Sequence, residues 1–566
     1  MRYLITLLLF FLSLTVYSQK EKKIEFIGGA RSLVSHSNFI SDGDTSTTPK
    51  STGGYALLDL GIKINPNSKT EILGMFRINN KFGGFWGGGV SFDVRQLYIR
   101  GVAADIIRYH VGNIDYKLTP YTFFNHNSDI LTSSIGTMAI KEDVVNYESF
   151  YNNNNTWRQQ GAAINFSLIF PKIIDEMDFN GFITRLNPSN FNNIMDRLYG
   201  GGNVVIKKTK NASLGLNHAS VFDLKNTSLD SNVFKNNVSS ITYDINYKKN
   251  NTKIGLDGES GIGLVSQSLF PNNGLSDYFI NTRAYINCNK EKFNLSFELG
   301  FMDNGPDFRS FGAQSKRIDF NKQNNFYNRY TNDQILRQIS AYDMYNDPNL
   351  FNQGITVGVM NYNPSINNVL PYGIASFNRR GIYFGSSYSD EKKIISAETK
   401  YFFLKEIRGQ GTTNLKTFNM ISFNGKFNAH NYFKKMKNDL TIQLGTSYQD
   451  TKRNGEYTFE NVDLNSFQLN FGVEKELLKK LYLMGNIFML SSVGNEQIPV
   501  RDSDGQIINY NDYTVNGEEL NFSGGLRFDF SKDVYLAALF EWNKNRFIPE
   551  SPYTYNQMSI FYIMKF

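Results

Sequence analysis

Residues Tyr553–Phe566, YTYNQMSIFYIMKF, decide how this chain is read. Met558, Ile560, Tyr562, Met564 and Phe566 fall at every second position, and a β-strand places such residues on one face. The strand is apolar on that face, and the chain stops on Phe566. It is expected to pair with another strand at a barrel seam, the counterpart being the stretch near Lys23 to Val34.

The same alternation recurs upstream. Ile241, Tyr243, Ile245 and Tyr247 oppose Ser240, Thr242, Asp244 and Asn246. Phe293, Leu295, Phe297, Leu299 and Phe301 oppose Asn294, Ser296, Glu298 and Gly300. Phe467, Leu469, Phe471 and Val473 oppose Ser466, Gln468 and Asn470, and the pattern returns between Leu520 and Phe530. These runs last about 9 to 13 residues, longer than strands of soluble sheets and suited to tilted strands crossing a bilayer. The fold expected is all-β: a single transmembrane antiparallel β-barrel of about 22 strands, within a range of about 16 to 24. Phe92-Asp93-Val94-Arg95-Gln96-Leu97 breaks phase within one strand and predicts a bulge.

Composition agrees. Of 566 residues 15% are aromatic and 46 are Gly, which suits strands and turns. A mean hydropathy of −0.37 excludes a helical membrane protein, whereas a barrel tolerates it because half of each strand faces away from lipid. Nothing resembling a linker divides the chain. The one cysteine, Cys288, excludes an internal disulfide and a cysteine zinc cluster. His36, His110, His126, His218 and His430 show no metal spacing, so no cofactor is expected. A net charge of +7 without a basic block gives no sign of nucleic-acid binding.

At the amino terminus Arg2, the apolar run Leu4 to Leu14 and Val16-Tyr17-Ser18 read as a signal peptide, 1–18, with cleavage near Ser18-Gln19. Residues 19–566 are then the barrel. Connections alternate in length. Short ones include Pro66-Asn67-Ser68, Ala104-Asp105, Lys249-Asn250-Asn251, Lys290-Glu291-Lys292 and Ser531-Lys532-Asp533. Between them lie 37–52, 117–156, 225–236, 265–276, 303–378, 450–462 and 493–518. This is the asymmetry of short periplasmic turns and long extracellular loops. The longest loop, 303–378, is expected to fold over or into the pore, with a short helix near Asp333 to Tyr345.

Strand phase points Arg100, Arg108, Arg283 and Arg527 inward, and Arg309 and Arg317 lie in the long loop. These six are the candidate pore-lining residues. Clustered cations favour anionic solutes, whereas pairing with inward acids such as Asp93, Asp244, Glu298 and Asp529 would brace the lumen instead. Asp502-Ser503-Asp504-Gly505 lacks the further ligands of a calcium loop and reads as a polar turn. Gly83 to Gly89 reads as a hairpin tip. No spacing links His110 or His126 to a nucleophile, so no enzyme is expected.

Val94-Arg95-Gln96-Leu97-Tyr98-Ile99-Arg100-Gly101, then Arg108-Tyr109-His110-Val111-Gly112-Asn113, with Trp157-Arg158-Gln159-Gln160-Gly161-Ala162 opening the next strand, resembles a hairpin of porin-like and alginate-export-like barrels. The closing strand resembles those of bacterial outer-membrane barrels, where the terminal aromatic and the alternate residues Met558, Ile560, Tyr562, Met564 and Phe566 are read by the barrel-assembly machinery. The Ser-Gln start resembles signal peptides of Bacteroidota. The resemblance implies a multi-pass protein of the cell outer membrane. Its expected partners are outer-membrane lipid and the assembly machinery. It implies a porin-like channel for passive diffusion of small hydrophilic solutes; the alternative is a non-conducting barrel subunit of an outer-membrane assembly, secretion or gliding complex.

Overall fold

The computed structural model describes residues 23–41, 50–82, 90–126, 135–148, 157–170, 174–189, 191–192, 195–229, 231–267, 274–315, 364–371, 373–433, 436–501, 507–547 and 552–566. The leader, the glycine-rich tip, Arg317, the helix expected near Asp333 and the Asp502–Gly505 turn lie outside them.

The strands are β1 (Ile24–Ser41), β2 (Lys50–Asn67), β3 (Thr70–Lys81), β4 (Val90–Ala103), β5 (Ile107–Tyr116), β6 (Phe124–His126), β7 (Trp157–Phe170) and β8 (Ile174–Asn187). They continue with β9 (Arg197–Thr209), β10 (Ala212–Asp223), β11 (Phe234–Lys249), β12 (Thr252–Gln267), β13 (Leu275–Lys290), β14 (Phe293–Asn304), β15 (Ala313–Ser315) and β16 (Arg379–Asp390). The last are β17 (Ile395–Lys405), β18 (Thr417–Asn428), β19 (Leu440–Arg453), β20 (Val462–Leu478), β21 (Leu481–Arg501), β22 (Ile507–Ser531), β23 (Val534–Asn545) and β24 (Tyr553–Lys565). Helix α1 (Gly136–Glu148) follows β6, and the single turn α2 (Ala429–Tyr432) follows β18.

All but β6 and β15 join one 22-stranded sheet. Strand β24 returns to β1, from Gly29 opposite Lys565 to Ser41 opposite Tyr553. Gly28 and Phe566 exchange backbone hydrogen bonds of 2.8 and 3.0 Å beyond that register. The sheet is therefore a closed barrel with no open edge, and every ladder group finds a partner without water. The expected architecture and strand number are those observed.

Local chemistry explains the turns. Ala104 and Asp105 both take positive φ, 49° and 61°, as the central pair of a turn closed by the Ile106 N–H on the Ala103 carbonyl, within a three-residue connection between β4 and β5. The phase break in β4 is a bulge: Met75 faces Gln96 and Phe76 faces Val94, so Arg95 is the extra residue. One expectation fails. The stretch 493–518 is mostly strand, with β21 and β22 paired from Gly494 opposite Val515 to Val500 opposite Asn509. That hairpin rises past the apolar band, where no lipid enforces alternation, so its sequence carries no period-2 signal.

The two barrel faces divide cleanly. Val111, Ile183, Leu216, Ile241, Leu299 and Ile560 are exposed on the outside. Phe26, Tyr247, Tyr388, Phe530 and Phe566 are exposed near the short-turn end, and Phe92, Tyr278 and Tyr448 near the other. An apolar band edged by aromatic rings is a surface made for lipid. Met558, Ile560, Tyr562, Met564 and Phe566 belong to it, while Ser559, Phe561 and Ile563 are buried toward the lumen.

Candidate functional site

A 22-stranded barrel is too wide for wall side chains to fill. Here chain from the long-loop end folds inside. The described parts of three stretches enter: 117–126 with α1, then 305–315, and then 364–371 with 373–378. The first two meet as a parallel pair, with Ala313 opposite Phe124. Gly312 is required at that meeting, because a Cβ would lie 1.7 Å from the Tyr199 hydroxyl and 2.2 Å from the Thr122 carbonyl oxygen.

Each segment carries peptide groups away from bulk water, and each such group needs a partner. Inward-facing amide side chains of the wall supply them. Asn236 on β11 donates to the Arg309 carbonyl at 3.1 Å and accepts from the Phe311 N–H at 2.9 Å. Asn304 on β14 donates to the carbonyls of Ile374 and Ser376, both at 2.8 Å. Gln449 on β19 accepts from the N–H groups of Asn368 and Val369 and donates to the Ile366 carbonyl at 3.0 Å, which Gln468 also reaches at 2.7 Å.

Helix α1 is held the same way. The side-chain oxygen of Asn486 on β21 accepts from the Thr137 N–H at 2.7 Å, the Thr137 hydroxyl at 2.9 Å and the Met138 N–H at 3.3 Å. Glu474 accepts from the Gly136 N–H at 3.3 Å. The first turn of a helix has no intrahelical acceptors, so the barrel wall caps it. Met138, Ile140 and Val144 pack against Leu33, Leu57, Phe488, Leu539 and Phe561. Lys141 forms a buried ion pair with Glu541 at 2.5 Å. At the other end the Tyr147 hydroxyl donates to Asp59 at 2.5 Å, and Asp59 also receives Arg77 through two bonds of 2.7 Å. The Arg95 guanidinium, placed by the β4 bulge, lies 3.4 Å from Asp59 and 4.4 Å from the Tyr147 ring centroid.

Aromatic contacts fix the other two segments. Tyr121 stacks on Phe279 with centroids 4.1 Å apart, and Phe308 packs on the same ring at 4.8 Å. Burial pushes the Tyr121 phenol well above its ordinary pKa, so it stays neutral. The Arg379 guanidinium donates to the Val369 carbonyl at 2.9 Å and lies 3.6 Å from the Phe418 ring centroid.

The short-turn half of the lumen is different. There the inward ions stay partly exposed and are paired within and across strands. Arg283 meets Asp257 at 2.6 Å and Glu298 at 2.7 Å. Arg527 meets Glu474 at 3.1 Å and Asp529 at 2.9 Å. Arg100 meets Glu71 at 2.8 Å, and Lys207 meets Glu176 and Asp178 at 2.9 and 2.7 Å. A lumenal cavity of about 610 Å³ lies against β13–β14 and β16–β19, lined by amides and hydroxyls including Asn287, Ser296, Ser387, Asn424 and Gln443 with Glu398 and Lys426.

Of the expected pore-lining residues, Arg100, Arg283 and Arg527 face the lumen in ion pairs. Arg108 shares the inward face of β5 with His110 and Ile114. Arg309 differs. It lies on an inward segment but is 5% exposed, its guanidinium donating to the carbonyls of Pro306 and Phe308 at 2.9 and 2.8 Å and lying over the Phe377 ring. It locks the segment rather than facing solute. Sequence reading missed the wall amides and α1. The only signal for the amides was their inward strand phase. Among the described residues no cluster of His, Cys, Asp or Glu is arranged to hold a metal.

No protein-family model matches the chain, and no curated protein matches it. Solved structures align over nearly the whole length at low similarity. Pseudomonas aeruginosa OpdQ has a TM-score of 0.36 at 9% identity, over 97% of this chain and 99% of that one. A BenF-like porin from Pseudomonas fluorescens Pf-5 has a TM-score of 0.35 at 8% identity, over 96% and 99%. Pseudomonas aeruginosa OpdK, solved with vanillate, has a TM-score of 0.31 at 7% identity, over 95% and 99%. At these scores nothing about solute or activity passes from those proteins to this chain.

Proposed function

We propose that this barrel stands in a bacterial outer membrane, long loops outward, as a passive channel for small hydrophilic solutes narrowed by its inward-folded loops. One observation carries the reading. Inside a closed barrel, Arg283 keeps 40% and Lys207 42% of their side-chain surface accessible. Charged groups facing a cavity this way need water there, because an ionised side chain is not left in dry space. A water-filled lower lumen beneath a loop-lined upper lumen is the layout of a diffusion pore. The pairing of its ions supports weak charge selectivity, with arginines bracing the wall rather than forming a free cationic ladder. Export through the leader and recognition of Met558, Ile560, Tyr562, Met564 and Phe566 by the assembly machinery fit the same reading. The test is reconstitution: purified barrel in planar bilayers gives stepwise conductance, and liposomes carrying it swell in small sugars but not in large dextrans.

A second reading, a barrel subunit of a larger outer-membrane complex, has its own observation. Phe191 and Leu229 are 78% and 86% exposed at the long-loop end and are joined by a backbone hydrogen bond of 3.2 Å. A stoichiometric partner recovered in gentle detergent, and lost on Phe191→Ser with Leu229→Ser, would favour it.

A further inference from the structure

The outer wall holds a groove at the short-turn end that conduction does not use. Two neighbouring hairpins, the β11–β12 and β13–β14 turns, flank it, and its volume is about 750 Å³. Its floor is apolar: Tyr247 and Ile254, which face each other across the β11–β12 ladder, and Phe293. Its rim is cationic, with Lys249, Lys290 and Lys292 against one acid, Glu291. The Lys290 ammonium lies 5.5 Å from the Phe293 ring centroid, so one lysine bridges rim and floor. Tyr247 is 64% exposed beside this rim, at the depth where interfacial aromatic rings sit.

We propose that this groove binds one anionic phospholipid of the leaflet at the short-turn end. Its phosphate is held by Lys249, Lys290 and Lys292, and one acyl chain lies over Tyr247, Ile254 and Phe293. The inference rests on the barrel's standing in a bilayer and not on what the lumen conducts. Lysines near a headgroup plane draw anionic lipid, and an ammonium–phosphate contact is a charge-assisted hydrogen bond. Three cations against one acid select a net negative headgroup over a zwitterionic one. An apolar floor selects a lipid over a soluble phosphate.

Native mass spectrometry of the whole barrel, released from micelles doped with equal phosphatidylglycerol and phosphatidylethanolamine, tests this. The expected result is one retained phosphatidylglycerol, lowered about a hundredfold in the triple variant Lys249→Gln, Lys290→Gln, Lys292→Gln. A matched triple at other turns of the same rim, Lys392→Gln, Lys393→Gln, Lys532→Gln, keeps it. Phe293→Ala weakens retention with all lysines present. Should the first triple fail the heat-shift gel test of barrel folding, Lys290→Gln alone is read in its place. Equal retention of both lipids, an equal loss in both triples, no loss in the groove variants, or displacement by inorganic phosphate at the lipid's concentration would each overturn the proposal.

Discussion

Replacing Asn486 by Leu should release helix α1 from the barrel wall. Leu has similar volume but no acceptor. The Thr137 and Met138 N–H groups lose the oxygen they share, in residues with no measurable exposure. Each buried donor left without a partner costs about 1–3 kcal/mol, so the pair costs about 2–4 kcal/mol, taking values toward the lower middle of that range. This changes the docked-to-undocked ratio by roughly 30- to 1000-fold, since about 1.4 kcal/mol is a factor of ten. Thr137→Ala is the graded control. It removes only the hydroxyl that bonds Asn486 and Ser523 and leaves both backbone donors capped, for about 1 kcal/mol. The assay is thiol labelling of Met138→Cys in a Cys288→Ser background, with single-channel conductance alongside. The thiol should be unreactive in the parent, slightly reactive with Thr137→Ala and readily labelled with Asn486→Leu, where conductance should rise and become noisy. Unchanged labelling and conductance in Asn486→Leu would show that the wall does not hold the helix.

Tyr147→Phe removes a hydrogen bond to the buried Asp59 carboxylate while Arg77 remains on it, and should speed hydrogen exchange in the last turn of α1 by loosening it about 1.5 kcal/mol. Arg283→Ala leaves Asp257 and Glu298 facing the lumen without their shared cation, so the reversal potential in a salt gradient should move toward cation preference; no movement would mean that ions do not pass that wall. In the 454–461 loop the Thr412 hydroxyl and the N–H groups of Tyr457 and Glu456 hold the Glu460 carboxyl below its usual pKa. A depressed carboxyl contributes stability that is complete above the ordinary carboxylate pKa of about 4.5 and is lost as pH falls through the lowered value. Exchange of the Glu456 and Tyr457 amides should therefore be slow at neutral pH and accelerate in acid below that range, and Glu460→Gln should abolish the pH dependence.

Periodicity made the wall legible. Strands showed where lipid on one side and lumen on the other force a two-residue repeat, as at Ile241 to Tyr247 and Phe293 to Phe301. The bulge at Arg95 showed as a slip in that repeat, and the seam showed in the face shared by Met558 through Phe566. Where lipid stops, legibility stops. The upper hairpin of β21 and β22 read as loop because ladder hydrogen bonds, not an apolar face, hold it. Helix α1 was invisible for a related reason. Its buried face carries Thr137 and Lys141 beside Met138, Ile140 and Val144, and its cap is Asn486, hundreds of residues away. Lumenal Asn and Gln look alike whether they meet water or a loop's backbone. Asn236, Asn304 and Gln449 acquire their role only once the inward segments are in place.

The central claim is a water-filled lumen narrowed by these segments, and single-channel recording of the purified wild-type barrel in a planar bilayer tests it most directly. The account predicts discrete, stable conductance steps of near-equal cation and anion permeability, enlarged when 305–315 is replaced by a short Gly-Ser link. A folded, heat-shifting barrel that inserts and never conducts, with or without that replacement, would contradict it.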